Sequence, residues 1–305
     1  MPLRGHIFIV GVSRSGTSLM RRIFNRSTQV ALLDETFYVG HLVPRLAVRH
    51  RFRRFGDLRD DANIHRLVDY FYSPAFRRYS RFKHLTWQWE WFLENVPPER
   101  LRERFLAAER SEAGLFAVLM ELFAESQGAE VGGEKTPYHI RHVETLKAWY
   151  PDARFIHMMR DPRAIFVSEV RRRTTNPVTP LYRALRRVPP LLKLFLLVQV
   201  TRTWADAWRR RQQYRERLGD DYRVVRFEDL VGAPEKTVRE LCRWLDLEFQ
   251  PAMLEQKAIS YSERAGQKGF DTGATERWRA RIPGWADRWF RHRFREELIE
   301  MGYRP

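Results

Sequence analysis

HIFIVGVSRSGTSLMRRIFN, residues 6–25, is the stretch on which the fold turns. Its first seven residues are a short apolar run rich in β-branched side chains, the pattern of a strand buried inside a parallel sheet. A Gly/Ser turn follows, and TSLMRRIFN then takes up helical spacing. Strand, glycine turn and helix in that order make a phosphate loop. The glycines let backbone N–H groups approach an anion, and the helix behind them presents its positive end. GVSRSGTS (11–18) keeps the G-x-x-x-x-G spacing between Gly11 and Gly16. A Walker A loop continues with Lys and then Ser/Thr. Here Thr17 and Ser18 stand in those places, and Arg14 offers a cation from inside the loop instead. That argues against a nucleoside triphosphatase. It favours a phosphate that bears a second anionic group, without a required Mg²⁺.

Four more strand candidates lie downstream: VALLDE (30–35), AEVGGEKTP (129–137), ARFIHMMRD (153–161) and YRVVRFEDL (222–230). Helical patterns separate them, among them IRHVETLKAWYP, PRAIFVSEVRRR (162–173) with Pro162 in its first turn, and PEKTVRELCRWLDL (234–247). The alternation predicts an α/β fold with a parallel central sheet, a P-loop-like phosphate loop and helices on both faces. A single domain over 1–305 is expected, with helical insertions at about 40–128 and 174–203 forming a cap. The second insertion reads as irregular and broken by prolines. The first contains WQWEWFL (87–93), where Trp87, Trp89 and Trp91 suggest either the wall of an aromatic pocket or core packing.

Composition narrows the chemistry. The formal net charge is +17, and 48 of the 55 basic residues are Arg. Such a chain expects anionic partners, and guanidinium suits two-point capture of phosphate or sulfate, although a coding bias toward Arg explains much of the excess equally well. No RNA- or DNA-binding motif is present, so nucleic acid is not an expected partner. Cys242 is the sole cysteine, which excludes an intrachain disulfide; it reads as a buried, inert thiol. No Cys/His cluster has metal spacing. The apolar run at the N-terminus is too short for a signal peptide, and LLKLFLLVQV (191–200) is half of the roughly 20 residues that span a bilayer. A cytoplasmic enzyme is expected. The 191–200 helix reads as core, with contact to a membrane or lipid as its alternative, since Arg183, Arg186 and Arg187 stand beside it.

RDPRAIFVSEVRRR (160–173) is the second motif. Arg160 ends a strand, and Ser168 lies about two turns into the next helix. Together with GVSRSGTS, in this order, it resembles the sulfotransferases that use 3′-phosphoadenosine-5′-phosphosulfate (PAPS). The resemblance covers about residues 5–37 and 129–247. It implies that Arg14, Ser15, Gly16, Thr17 and Ser18 bind the 5′-phosphosulfate and that Arg160 and Ser168 bind the 3′-phosphate. Within that superfamily the chain is most similar to the Golgi-type and bacterial branch, which includes the tyrosylprotein and heparan sulfotransferases. RSGTSLMR (14–21) carries this likeness, as does Glu35, 21 residues after Arg14, where that branch has its catalytic carboxylate. EKTP (134–137) matches a motif whose Lys contacts the sulfonate. GFDTGATERWR (269–279) resembles the family's late nucleotide loop, and RFEDLVGAP (226–234) its strand-end segment, with Phe227 where Tyr is common. Thr36, Phe37 and Tyr38 replace the Arg residues that follow the carboxylate in the tyrosylprotein enzymes, so tyrosine sulfation is not implied.

The resemblance therefore implies transfer of a sulfonyl group from PAPS to a hydroxyl of a small molecule, glycan or lipid, leaving 3′,5′-ADP, with no metal. Glu35 is the expected base, and Lys135 and Arg14 the expected stabilisers of charge, with His41 and His139 as the next candidates for the base. The alternative is a P-loop kinase-like phosphotransferase, which would need a Lys where Thr17 stands.

Overall fold

A computed structural model describes residues 5–41, 47–82, 86–177, 179–256 and 269–304. Five strands form one parallel sheet: β1 (His6–Gly11), β2 (Val30–Asp34), β3 (Val131–Lys135), β4 (Arg154–Met159) and β5 (Tyr222–Arg226), in the order β2-β3-β1-β4-β5. All five sit within the stretches expected to hold strands. β3 lies between β1 and β2 and pairs in parallel with both; Ile9 and Asp34 each stand opposite Lys135. The close approach of β3 to β1 depends on Gly133. Its φ is +156°, and a Cβ there would lie 1.9 Å from the Ile7 carbonyl oxygen.

The chain divides into two compact units, Met1–Val10 with Ser18–Ile156, and Gly11–Thr17 with His157–Pro305. The first unit packs the apolar strands β1 and β2 and a 15-residue helix, Glu112–Ser126, that is nearly apolar all round. Ser111 caps that helix by accepting from the Gly114 N–H, which satisfies one of its orphan donors. Tyr38 stacks on Phe116 with 4.3 Å between ring centres and donates to the Glu112 carbonyl at 2.9 Å. Residues 48–107 add helices, including Asp61–Tyr72, Thr86–Asn95 and Pro98–Ala107. Trp89 is fully buried and meets Phe71 and Phe76 edge-on, and Trp91 packs on Phe123. Core packing thus accounts for both, rather than a pocket wall; the Trp87 side chain lies outside the described residues.

The second unit corrects two expectations. The 174–203 segment is not irregular. Pro180 and Pro189 each stand at the start of a helix, and the second, Pro189–Leu218, runs unbroken for 30 residues through both 191–200 and WADAWRRRQQYRERL. Proline there initiates, because at the first helical position its missing N–H is one that would have no partner anyway. The strand read as 222–230 stops at Arg226, and Phe227–Gly232 is a short helix with Glu228 and Asp229 in its first turn, where acidic side chains favour helix over strand. The core of this unit gathers Ile165, Leu196, Trp204, Phe290 and Phe294, with Trp204 stacked on Trp208. Cys242 is buried as expected, its thiol pushed up to about 11 by burial.

Candidate active site

Two residues expected at the site, and a neighbour of one of them, carry backbone strain. Arg14, Glu35 and Phe37 have φ of 73°, 41° and 50°, in the left-handed region that non-glycine residues avoid. Such strain persists only where surrounding structure enforces it, and it concentrates at functional sites.

In the second unit the glycine turn, the end of β4 and the helix Pro162–Thr175 meet around Arg14 and Arg160. Arg14 Nε donates to Ser168 Oγ at 3.0 Å. Arg160 Nη1 donates to the Arg14 carbonyl at 3.1 Å, and its Nη2 to the Ala274 carbonyl at 2.8 Å. Arg160 therefore ties the turn to the 269–279 segment. Its guanidinium stacks 4.1 Å over the Phe227 ring, while Nε is buried without a partner. Burial pulls the Arg160 pKa down to about 10, with Glu228 opposing the shift, which still leaves it cationic at neutral pH. Asp161 does not pair with Arg160. Its carboxylate takes Arg163 at 2.8 Å and caps the Pro162–Thr175 helix through the Arg163 N–H.

Gly16 has φ +94°, and a Cβ there would lie 2.5 Å from Phe227 Cδ2. Only glycine fits against that ring. Ser15 is fully buried, and its hydroxyl donates to the Val12 carbonyl at 2.6 Å, so its side chain holds the turn in shape. Thr17 is the first residue of the helix Thr17–Phe24, which carries no acidic residue in its first turn. The first N–H groups of such a helix lack partners within it and favour an anion. The chemistry of this cluster is two guanidinium groups, a serine hydroxyl, a glycine turn and a helix start, all suited to phosphate.

In the first unit the pairing of β2 with β3 sets a compact charge cluster. Lys135, only 1 % exposed, bonds Glu35 Oε1 at 2.6 Å and also pairs with Asp34. Arg21 Nη2 reaches the other Asp34 oxygen at 3.2 Å. Two cations thus face two carboxylates, and Glu35, at 43 % side-chain exposure, is the one open to solvent. Ser18 is the second residue of the helix that carries Arg21.

Beneath Glu35 lies a buried network. Glu134 accepts from the Thr36 N–H at 2.8 Å and from the Thr136 hydroxyl at 2.6 Å, and also from the Thr36 hydroxyl. His139 Nδ1 stands 2.7 Å from its second oxygen. Burial pushes the Glu134 pKa up, but His139 and the hydroxyl donors outweigh it, and the net shift is downward. The network clamps the turn that holds Glu35 and Phe37 at positive φ. His139 is engaged by Glu134, and His41 faces the Phe37 ring.

Sequence reasoning missed Asp34, Arg21, Glu134 and the seat that Phe227 makes for Gly16. Asp34 directly precedes Glu35 at the strand end, Glu134 opens EKTP and Arg21 ends RSGTSLMR, so all three stood beside residues already singled out. Among the described residues no group of three or more His, Cys, Asp or Glu side chains is placed to hold a metal ion.

Residues 6–251 match the Sulfotransferase family. The omega-hydroxy-beta-dihydromenaquinone-9 sulfotransferase Stf3 of Mycobacterium tuberculosis is 33 % identical over 118 residues, 37 % of this chain and 28 % of that protein. The alignment thus spans less than a third of that relative's length. Protein-tyrosine sulfotransferase 1 of Danio rerio is 24 % identical over 93 % of this chain and 67 % of its own length. Among solved structures, the sulfotransferase domain of the Synechococcus olefin synthase aligns with a TM-score of 0.55 at 21 % identity, over 91 % of this chain and 88 % of that one. The sulfotransferase domain from the curacin biosynthetic pathway gives a TM-score of 0.57 at 16 % identity, over 100 % and 99 %. These two show the fold.

Proposed function

The chain belongs to the sulfotransferase family, and from that premise we propose that it moves a sulfonyl group from PAPS to an acceptor hydroxyl. The observation that carries the choice of donor is the Arg14–Ser168–Arg160 arrangement, with its unpartnered Arg160 Nε. A nucleotide with a single 5′-phosphate would leave one of these cationic groups without a task. PAPS has a phosphosulfate at the 5′ position and a phosphate at the 3′ position. In this reading the turn 14–18 takes the first, through backbone N–H groups and Arg14, and Arg160 with Ser168 takes the second.

The transfer balances simply. The acceptor oxygen attacks sulfur as the bond from sulfur to the 5′-phosphate oxygen breaks, and 3′,5′-ADP leaves with the bonding pair. The acceptor's proton passes to Glu35, whose carboxylate is exposed while Lys135 holds one of its oxygens. Lys135 and Arg14 offset charge on the sulfonate and leaving oxygens, as positioned cations do for a transition state. No step uses a metal ion. The acceptor is a hydroxyl of a small molecule, glycan or lipid, and the whole chain acts as one sulfotransferase domain.

The test is a thermal-shift comparison of 3′,5′-ADP, AMP and ATP with Mg²⁺, followed by transfer from labelled PAPS to pools of acceptors. A ligand that binds only the folded state stabilises it by RT ln(1 + [L]/Kd). The expected result is stabilisation by 3′,5′-ADP well beyond that by AMP, and label on an acceptor in the presence of EDTA. Equal stabilisation by 3′,5′-ADP and AMP would sink the donor assignment. Stabilisation by ATP that needs Mg²⁺ would favour a kinase-like phosphotransferase.

A further inference from the structure

The helix Pro189–Leu218 is apolar on two sides at its start. One side buries Leu192, Leu196, Leu197 and Val200 in the core of the second unit. Leu191, Leu194, Phe195 and Val198, spaced as one helical stripe, face solvent instead. The stripe continues through Thr201, whose hydroxyl receives the indole N–H of Trp289 at 3.0 Å. Trp285 stands one turn before Trp289 on the helix Gly284–Arg293. These six side chains keep 37 to 52 % of their surface exposed. Scattered exposed apolar residues need no explanation, but an aligned stripe flanked by two tryptophans marks an interaction surface.

The charge around the stripe tells what it meets. From residue 170 to residue 205 there is no Asp or Glu, and eight Lys and Arg. Arg183, Arg186, Arg187 and Arg202 are exposed. Among the described residues no helix is long and apolar enough to cross a membrane. We propose that this face docks the protein on an anionic lipid bilayer, lying in the interface with the Leu/Phe/Val stripe and both tryptophans among the acyl chains and the arginines at the headgroups. An amphipathic, cationic helix edged with Trp is what such a surface takes up, and indole rings settle at the polar–apolar boundary. A second copy of the chain is the poorer occupant. A two-fold contact would set the arginine rim against itself. The proposal does not depend on the sulfonyl-transfer reading, because none of these residues belongs to the candidate active site.

The experiment is cosedimentation of the full chain with vesicles of phosphatidylcholine alone and of phosphatidylcholine with phosphatidylglycerol, alongside tryptophan emission and sedimentation velocity without lipid. The expected result is binding to the anionic vesicles at least tenfold above that to neutral ones, a blue shift of emission, and weakening as salt rises. Leu194→Asp with Val198→Asp should reduce that binding at least tenfold while 3′,5′-ADP binding is retained. Should that pair misfold, Arg183→Glu with Arg187→Glu, both at exposed positions, should give the same loss. Equal binding to both vesicle types, no binding at all, or binding untouched by the arginine pair overturns the proposal. So does a dimer in solution that Leu194→Asp converts to monomer, since the face would then be covered by a second copy.

Discussion

Replacing Arg160 with Met separates recognition of the 3′-phosphate from the stability of the fold. Arg160 makes two hydrogen bonds to carbonyls, of Arg14 and Ala274, and stacks on Phe227. Hydrogen bonds to charged groups contribute roughly 1.5–3 kcal/mol each, so their loss costs about 3–6 kcal/mol. Burial opposes this. Desolvation pulls the Arg160 pKa down to about 10, a cost of burying the cation that the variant no longer bears, and Met retains part of the contact with Phe227. The net loss of stability without ligand is then smaller than the loss of the two hydrogen bonds alone. The loss in binding is separate: one charged contact to the 3′-phosphate is about 1.5–3 kcal/mol, or roughly 10- to 150-fold. Isothermal titration with 3′,5′-ADP and with AMP reads it directly. In the native protein 3′,5′-ADP should bind at least about tenfold more tightly than AMP, and Arg160→Met should bring the ratio to near one. The ratio is the useful quantity, because loosening of the turn through the Arg14 carbonyl weakens both ligands alike. Arg160→Lys keeps the charge but not the fork and should fall between. If the ratio persists in Arg160→Met, the 3′-phosphate is held elsewhere.

Glu35→Gln should lower kcat by about 10²–10⁴-fold with 3′,5′-ADP affinity within a few-fold; near-native turnover, with chemistry rate-limiting, moves the base elsewhere. Gly16→Ala should destabilise by about 1–3 kcal/mol, because its Cβ meets Phe227 at positive φ, and urea unfolding of Gly16→Ala with Phe227→Leu should recover part of that. His157 is buried, and burial with Arg211 nearby lowers its pKa from 6.5 to about 3. The folded state therefore stays neutral while the unfolded chain gains a proton below 6.5. Stability should fall as pH drops from 6.5 toward 3, by about 1.4 kcal/mol per pH unit from this residue, and His157→Gln should flatten that part of the urea-derived profile; an unchanged slope would count against it.

The strands and the phosphate turn were readable because their signals are local. HIFIVG, VALLD, RFIHMM and YRVVR each carry a short apolar or β-branched run, VGGEK offers a single Val before two glycines, and GVSRSGTS places its glycines within one turn. Family spacing singled out Glu35, Lys135, Arg160 and Ser168 without saying what each would touch. The contacts that define the two clusters join residues far apart along the chain: Arg14 with Ser168, Arg160 with Ala274, Lys135 with Asp34, Gly16 with Phe227. No periodicity encodes such pairs. The register of β2 on β3 decides that Asp34 as well as Glu35 reaches Lys135. The placing of the Phe227 ring decides that Gly16 admits no side chain. The prolines show the same division. Pro180 and Pro189 read as breaks, since a proline mid-helix removes a hydrogen bond, yet at the first position it removes nothing. Which position a proline occupies depends on where the helix begins. For Pro189 that start precedes a 30-residue helix that buries Leu192, Leu196 and Val200, and burial of apolar area is a property of the assembled unit rather than of any segment alone.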